Sequence, residues 1–393
     1  MISLNNKGVL LGILGVALLC FTNCKENKQT LKQKNTVIPG AFNSKVLDSS
    51  FDTIIKGKHV KLYWLKTPQL KLAITNYGGR LVGLWTRDKS GKFTDVIIGR
   101  GSTKEYVKGP ESYFGATIGR VGNRIAKGKF TIKKKEYTIL PNNNVNALHG
   151  GEHGFQDKVW NAHQPDVHTL TLNYTSPDME EGFPGTLIAE VTFTLTKNNS
   201  LLMEYKATTN KPTIVNLTNH AYFNLNGEGS GSILNHKLQI HAEKFTPVDT
   251  HLIPTGELRN VAETPFDFSE SHTIGKRIEM NNEQLVFGGG YDHNFVLSKH
   301  KPNVMKHAAK VIGDKSGIVM DVYTKEPGIQ FYSGNFMNSE NILKSGAKDD
   351  FRSAFCLETQ HFPDAPNQLN FPAILLNPFE TYRTVSEYAF SIL

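Results

Sequence analysis

Apolar and polar residues alternate with a period of two through much of the chain, the spacing of half-buried β-strands. Val60-Lys-Leu-Tyr-Trp-Leu65 alternates in this way. Leu70-Lys-Leu-Ala-Ile-Thr75 runs into Asn76-Tyr-Gly-Gly79, a turn signal. Residues 186–196 alternate over their whole length, Asn198-Asn199 supplies a turn, and residues 201–208 return, which predicts a hairpin with one face buried. Gly328-Ile-Gln-Phe-Tyr-Ser-Gly334 and Ala354-Phe-Cys-Leu-Glu-Thr359 read as further strands. No stretch keeps a long period of 3.6 or carries a helix-spaced cap pair, and no internal repeat is visible. The pattern predicts an all-β fold, a single large sandwich.

Composition agrees. The 393 residues are 39% apolar and 20% charged, which excludes wholesale disorder. With 34 Gly and 17 Pro beside 23 Phe and 13 Tyr, the mixture suits many short strands joined by tight turns. The length would allow two or three domains, but one large all-β unit can use most of it. The formal charge of +8 says less than its size suggests, because Lys7, Lys25, Lys28, Lys32 and Lys34 crowd the first tenth of the chain against Glu26. Elsewhere acids and bases are interspersed, and no basic stripe with interleaved aromatics points to nucleic acid.

Lys7 followed by the apolar run Val9-Leu-Leu-Gly-Ile-Leu-Gly-Val-Ala-Leu-Leu19 reads as an export signal, too short to span a bilayer. Cys24, succeeded by Lys25-Glu-Asn-Lys28, resembles the lipidated first residue of a mature bacterial lipoprotein. Asn23 stands before it, where such leaders usually place Gly, Ala or Ser. The expected organisation is a signal peptide over 1–23, a lipid-bearing Cys24 with a flexible tether over 24–45, and a folded body over 46–393. The protein is expected to be exported and membrane-anchored, facing the periplasm or the cell exterior. With Cys24 acylated, Cys356 is the only thiol left in the mature chain, and neither an intrachain disulfide nor a cysteine-based metal site can form.

Four stretches place polar, ionisable residues among apolar strands or glycines. Gly119-Arg-Val-Gly-Asn-Arg-Ile125 can turn tightly and present a guanidinium, or be a solvated turn. Leu148-His-Gly-Gly-Glu-His153 matches the H-x-x-E-H pattern of one metalloprotease class, but Gly150 and Gly151 oppose the helix that motif needs at about 1 kcal/mol each. A glycine-flanked histidine approaching a ligand fits these residues better. Asn216-Leu-Thr-Asn-His-Ala-Tyr-Phe-Asn-Leu225 crowds His220 with Asn216, Asn219, Asn224 and Tyr222, the composition of a hydroxyl-binding surface. Phe355-Cys-Leu-Glu-Thr-Gln-His-Phe-Pro-Asp364 puts Glu358 where an apolar strand ends; it is either an ordinary edge carboxylate or a base raised by partial burial. Asp292 and His293 follow a glycine run, and an inward Gln330 would need a partner. The Gly227-Glu-Gly-Ser-Gly231 loop lacks the helix and lysine of a nucleotide site.

Together these stretches resemble the aldose 1-epimerase (galactose mutarotase) family. The resemblance runs through Leu72-Ala-Ile-Thr-Asn-Tyr-Gly-Gly79, Gly119-Arg-Val-Gly-Asn-Arg124, Leu148-His-Gly-Gly151, Asn219-His-Ala-Tyr-Phe-Asn224, Tyr291-Asp-His-Asn-Phe295 and Leu357-Glu-Thr-Gln-His-Phe-Pro-Asp364, in the family's order and over most of the chain after Lys45. It implies a large two-sheet antiparallel β-sandwich with a sugar cleft, and neither cofactor nor metal. Glu358 matches the family's catalytic base and His220 its catalytic acid. Asn123, Arg124, His149, Asp292 and Gln330 match positions that hold sugar hydroxyls, His149 also lying close to the reacting end. The expected partner is a free aldose such as glucose or galactose, bound by a monomer or weak dimer. A non-catalytic sugar-binding lipoprotein and a hexose-phosphate epimerase remain open; the latter would draw on Arg124 and Arg120 for a phosphate.

Overall fold

The computed structural model describes Phe42 and residues 44–297 and 304–393. The apolar run 9–19, Cys20 and Cys24 lie outside the described residues, as does most of the tether.

Every pairing between named strands is antiparallel. Two sheets dominate. One has nine strands, in the order Asn161–His163, Thr169–Ser176, Leu187–Leu195, Ser200–Thr209, Tyr382–Ile392, Ile318–Thr324, Lys306–Ile312, Lys237–Ile240 and His272–Thr273. The other has six, in the order Tyr222–Phe223, Phe355–Gln360, Gly328–Tyr332, Asp292–Leu297, Ala242–Phe245 and Arg259–Asn260. The hairpin expected over 186–208 is there. Leu187–Leu195 pairs with Ser200–Thr209 from Leu187 opposite Thr209 to Leu195 opposite Leu201, and Leu187, Ala189, Val191, Phe193 and Leu195 all point inward. Tyr382–Ile392 is the seam of the large sheet, bonded to Ser200–Thr209 on one side and Ile318–Thr324 on the other.

Side chains from both sheets share one core. Val191, Tyr205 and Val311 of the large sheet pack in the same cluster as Phe295, Phe331, Phe355 and Leu357 of the small one. Because strand side chains alternate faces, sending Phe355, Leu357, Ile329, Phe331 and Phe295 into this core turns Cys356, Glu358, Gln330, Tyr332, Asp292 and Asn294 to the other side. That outer face of the small sheet is the floor of the functional site.

Two six-residue helices, Thr103–Lys108 and Glu283–Gly288, depart from the sequence reading. Both are capped: Ser102 Oγ accepts the Glu105 N–H at 3.2 Å and Asn282 Oδ1 the Gln284 N–H at 3.0 Å. At under two turns neither is long enough to show a period.

Candidate active site

A cavity of about 440 Å³ opens over the small sheet, with Asp292, Tyr332 and Glu358 rising from its floor. Loops supply the walls. The short pairing of Arg124–Ile125 with Ala147–Leu148 brings His149 against Asn123. Both residues take left-handed backbone conformations, with φ near 53° and 63°. Gly150 packs so closely on the preceding loop that a Cβ there would lie 2.0 Å from the Gly119 carbonyl oxygen. The Asn123 N–H donates to His149 Nδ1 at 3.2 Å, so the ring's proton is on Nε2. Asn123 Oδ1 accepts the Arg124 N–H at 2.8 Å, leaving the Asn123 amide nitrogen to the cavity.

Arg124 donates from Nε to Asn143 Oδ1 at 3.2 Å and places Nη1 3.8 Å from Asp292 Oδ2. Gln330 Nε2 donates to Asp292 Oδ1 at 2.8 Å. His220 follows Thr218–Asn219, which pairs with Thr117–Ile118. Its ring stacks on Tyr222 and Tyr113, with centroids 4.9 and 5.8 Å away, and its Nδ1 is 3.6 Å from Cys356 Sγ. His220 Nε2 then faces Glu358 Oε1 at 3.7 Å. Both side chains are almost wholly buried.

Burial decides where the proton of this pair sits. Desolvation raises the Glu358 carboxyl well above its ordinary range, and the negative charge of Asp292 adds to this against the opposing pull of Arg124. Desolvation lowers His220 to about 3, with the Arg80 guanidinium contributing. Both shifts favour the uncharged arrangement, in which the pair carries one proton, on Glu358, facing a neutral imidazole. Moving it to His220 gives a carboxylate and an imidazolium of the same total charge, a base and an acid facing each other. His149 is also held neutral, by burial and then by the nearby His220 and Arg124. Burial raises Asp292 as well, although Arg124 and Gln330 both oppose it.

His149, His220 and Glu358 each offer one atom a metal could use, all within 4.8 Å of one another. The donor set is poorly prepared for an ion. The Asn123 N–H occupies Nδ1 of His149, and the proton this leaves on Nε2 occupies the other nitrogen. The same arrangement is well suited to donating a hydrogen bond to a sugar oxygen.

Six of the seven expected site residues, Asn123, Arg124, His149, His220, Asp292 and Glu358, line this one cavity. Gln330 does not; it reaches the site through Asp292. The carboxamides around His220 are staples rather than a hydroxyl-binding surface. Asn216 bonds the Gly122 and His361 backbones, Asn219 the Gly115 carbonyl, and Asn224 the Gly231 and Ser353 carbonyls. Arg120 points away from the cavity and donates to Ser176 Oγ and to the carbonyls of Ser176, Pro177, Pro184 and Gly185, which removes it as a phosphate ligand. His153 is exposed beside Asp157, on a turn instead of a helix, so the H-x-x-E-H spacing is accidental. Sequence reasoning missed Glu111, Tyr113 and Phe336, all cavity residues. Tyr113 sits in an aperiodic loop, and nothing in its neighbourhood signals that it will cover both histidines.

A β-sandwich that buries a carboxyl–imidazole pair on the floor of a pocket walled by Asn123, Arg124, Asn143, His149 and Asp292, side chains able to bond hydroxyls, has the make-up of a carbohydrate-handling enzyme. Comparison with known proteins narrows the class. The family model described as aldose 1-epimerase matches residues 61–389, and the chain belongs to that family. It is 43% identical over 335 residues to the galactose mutarotase of Sus scrofa, covering 85% of this chain and 94% of the relative. It is 36% identical over 334 residues to the aldose 1-epimerase of Escherichia coli, covering 82% and 95%. Among solved structures, an aldose epimerase homologue from C. elegans superimposes with a TM-score of 0.78 at 30% identity, covering 85% of this chain and 99% of that one. A galactose 1-epimerase from Lactobacillus acidophilus gives 0.75 at 25% identity, covering 86% and 97%.

Proposed function

We infer that the protein is an aldose 1-epimerase, a mutarotase that interconverts the α and β anomers of free aldoses such as D-glucose and D-galactose. The observation that carries this reading is the approach of His220 Nε2 to Glu358 Oε1, 3.7 Å apart and both almost wholly buried, on the floor of the cavity. A hemiacetal hydroxyl is a weak acid and the ring oxygen a poor leaving group, so opening the ring needs a base and an acid together. The resting proton first passes from Glu358 to His220 Nε2. Glu358 then takes the proton of the C1 hydroxyl as the C1 carbonyl forms and the bond from C1 to the ring oxygen breaks, and that oxygen takes the proton from His220. Rotation about C1–C2 presents the other face, and the reverse transfers close the ring. Asn123, Arg124 and Asp292 hold the remaining hydroxyls while C1 is free to turn, and His149 Nε2–H donates near the reacting end.

The test is polarimetry of freshly dissolved α-D-glucose and α-D-galactose across pH. Equilibration should be faster than in buffer, and kcat/KM should form a broad plateau. Its acid fall comes as Asp292 loses its charge, seen first in KM, and then as His220 takes a second proton near its value of about 3. Its alkaline fall comes where Glu358, raised by burial, gives up the pair's only proton. No acceleration with either sugar, despite measurable binding, would leave a sugar-binding protein instead.

Export and lipid attachment at Cys24 belong to the same proposal, with the enzyme held at a membrane facing the periplasm or exterior. The short apolar run 9–19 ahead of a cysteine followed by a polar stretch supports it. Intact mass of detergent-extracted protein should show an acylated amino-terminal Cys24; an unmodified Cys24 in the mature chain would exclude the anchor.

A further inference from the structure

The floor of the cavity carries more polarity than the reaction described above uses. Glu358 lies directly opposite Gln330 on the neighbouring strand, and Gln330 directly opposite Asn294 on the next. Two residues beyond Glu358 on the same face, Gln360 stands opposite Gly328. A Cβ on Gly328 would lie 2.3 Å from Asn294 Oδ1, so the missing side chain is what lets that carboxamide lean into the row.

Five atoms in this layer are buried without a partner among the described residues: Glu358 Oε2, Gln330 Oε1, Asn294 Oδ1, and Oε1 and Nε2 of Gln360. The bond from Gln330 Nε2 to Asp292 settles which end of that amide turns toward the layer. Four of the five atoms are acceptors, and acceptors cannot satisfy one another. Even with both hydrogens of Gln360 Nε2 used, two of the four acceptors stay open, and water, with two donors and two acceptors, is the smallest species that can close them.

We propose that Gln360 and Asn294, with Gln330 between them, hold ordered water against the inner oxygen of Glu358, Gln360 and Asn294 acting as positioning residues for the proton transfer. The inference rests on Glu358 being the base. None of the three lines the cavity. Water donating to Oε2 favours the carboxylate over the acid, which is what a base in so dry a place requires. The charged and titratable groups around Glu358 are His220, Asp292, Arg124, Cys356, Tyr222 and Tyr388; of these only His220 and Arg124 can offer positive charge, and His220 must carry the acid's proton.

Two pairs of variants test this against a packing role: Gln360→Met with Gln360→Ser, and Asn294→Leu with Asn294→Ser. Met and Leu fill the space and remove the polar atoms; Ser leaves room for more water. Gln360→Met and Asn294→Leu should lower kcat about tenfold, hold KM within about threefold, and move the alkaline fall of kcat/KM up by about one pH unit. Both Ser variants should keep kcat within about threefold of the parent. A packing role predicts the reverse order, since Ser leaves the larger void. The apolar variants equalling or outperforming Ser, or an alkaline fall that stays put, overturns the proposal. The Asn294 pair decides should either Gln360 variant fail to fold. Glu358→Gln run alongside separates the two readings: activity surviving in it removes the base assignment, whereas its loss with the wrong order among the others removes only the water.

Discussion

Glu358→Gln should lower kcat by roughly 10²–10⁴-fold while KM stays within about threefold, with thermal stability close to the parent's. The amide has the shape of the carboxyl and, like the resting carboxylic acid, no charge. Arg124, Asp292 and His220 therefore meet nearly the same surroundings, and the sugar is held as before. What disappears is the ability to release a proton to His220 and then take one from the C1 hydroxyl. The variant should accordingly bind galactose in calorimetry with parental affinity yet leave its optical rotation drifting at close to the rate in buffer. A loss below tenfold would mean that Glu358 is not the base.

The second large effect belongs to His220→Asn, for which a similar loss in kcat is expected. The substitution also forfeits the stacking on Tyr222 and Tyr113 and the contact with Cys356. Its melting temperature is therefore measured beside its rate, so that a binding or folding defect is seen as such. The sharper prediction concerns the double variant. Because the two residues share one proton, either alone disables the transfer, and Glu358→Gln with His220→Asn should be no slower than the worse single variant. Multiplied losses would show two independent contributions and remove the shared-proton mechanism.

How much of this could be read in the sequence depended on the scale of the pattern. The hairpin of Leu187–Leu195 and Ser200–Thr209 was legible because a buried face imposes its period on nine and ten consecutive residues. The helix Glu283–Gly288 was not, since six residues hold no more apolar spacing than a turn does. In the site, the family's motifs carried the assignment of Glu358 and His220; the residues alone left Glu358 as either an edge carboxylate or a base. Gln330 shows what the linear chain withholds. Its place opposite both Glu358 and Asn294, and its bond to Asp292, follow from the register of three strands far apart in sequence. Composition misled at Asn216, Asn219 and Asn224, whose carboxamides could serve a sugar or a backbone equally well. Only the loops folded around them decide between the two.

The strand Tyr382–Ile392, at the seam of the nine-stranded sheet, carries a consequence for how the molecule is made. Ser200 stands opposite Ala389, and Ile318 opposite Ile392, so the two halves of the large sheet join only when distant parts of the chain meet. Such long-range pairing places the protein among slow folders. Until it is complete, Ser200–Thr209 and Ile318–Thr324 each present a row of unbonded amides. A nascent or truncated chain lacking this strand thus has two sticky borders. Its expected fate is edge-to-edge aggregation, with no partly active sandwich along the way.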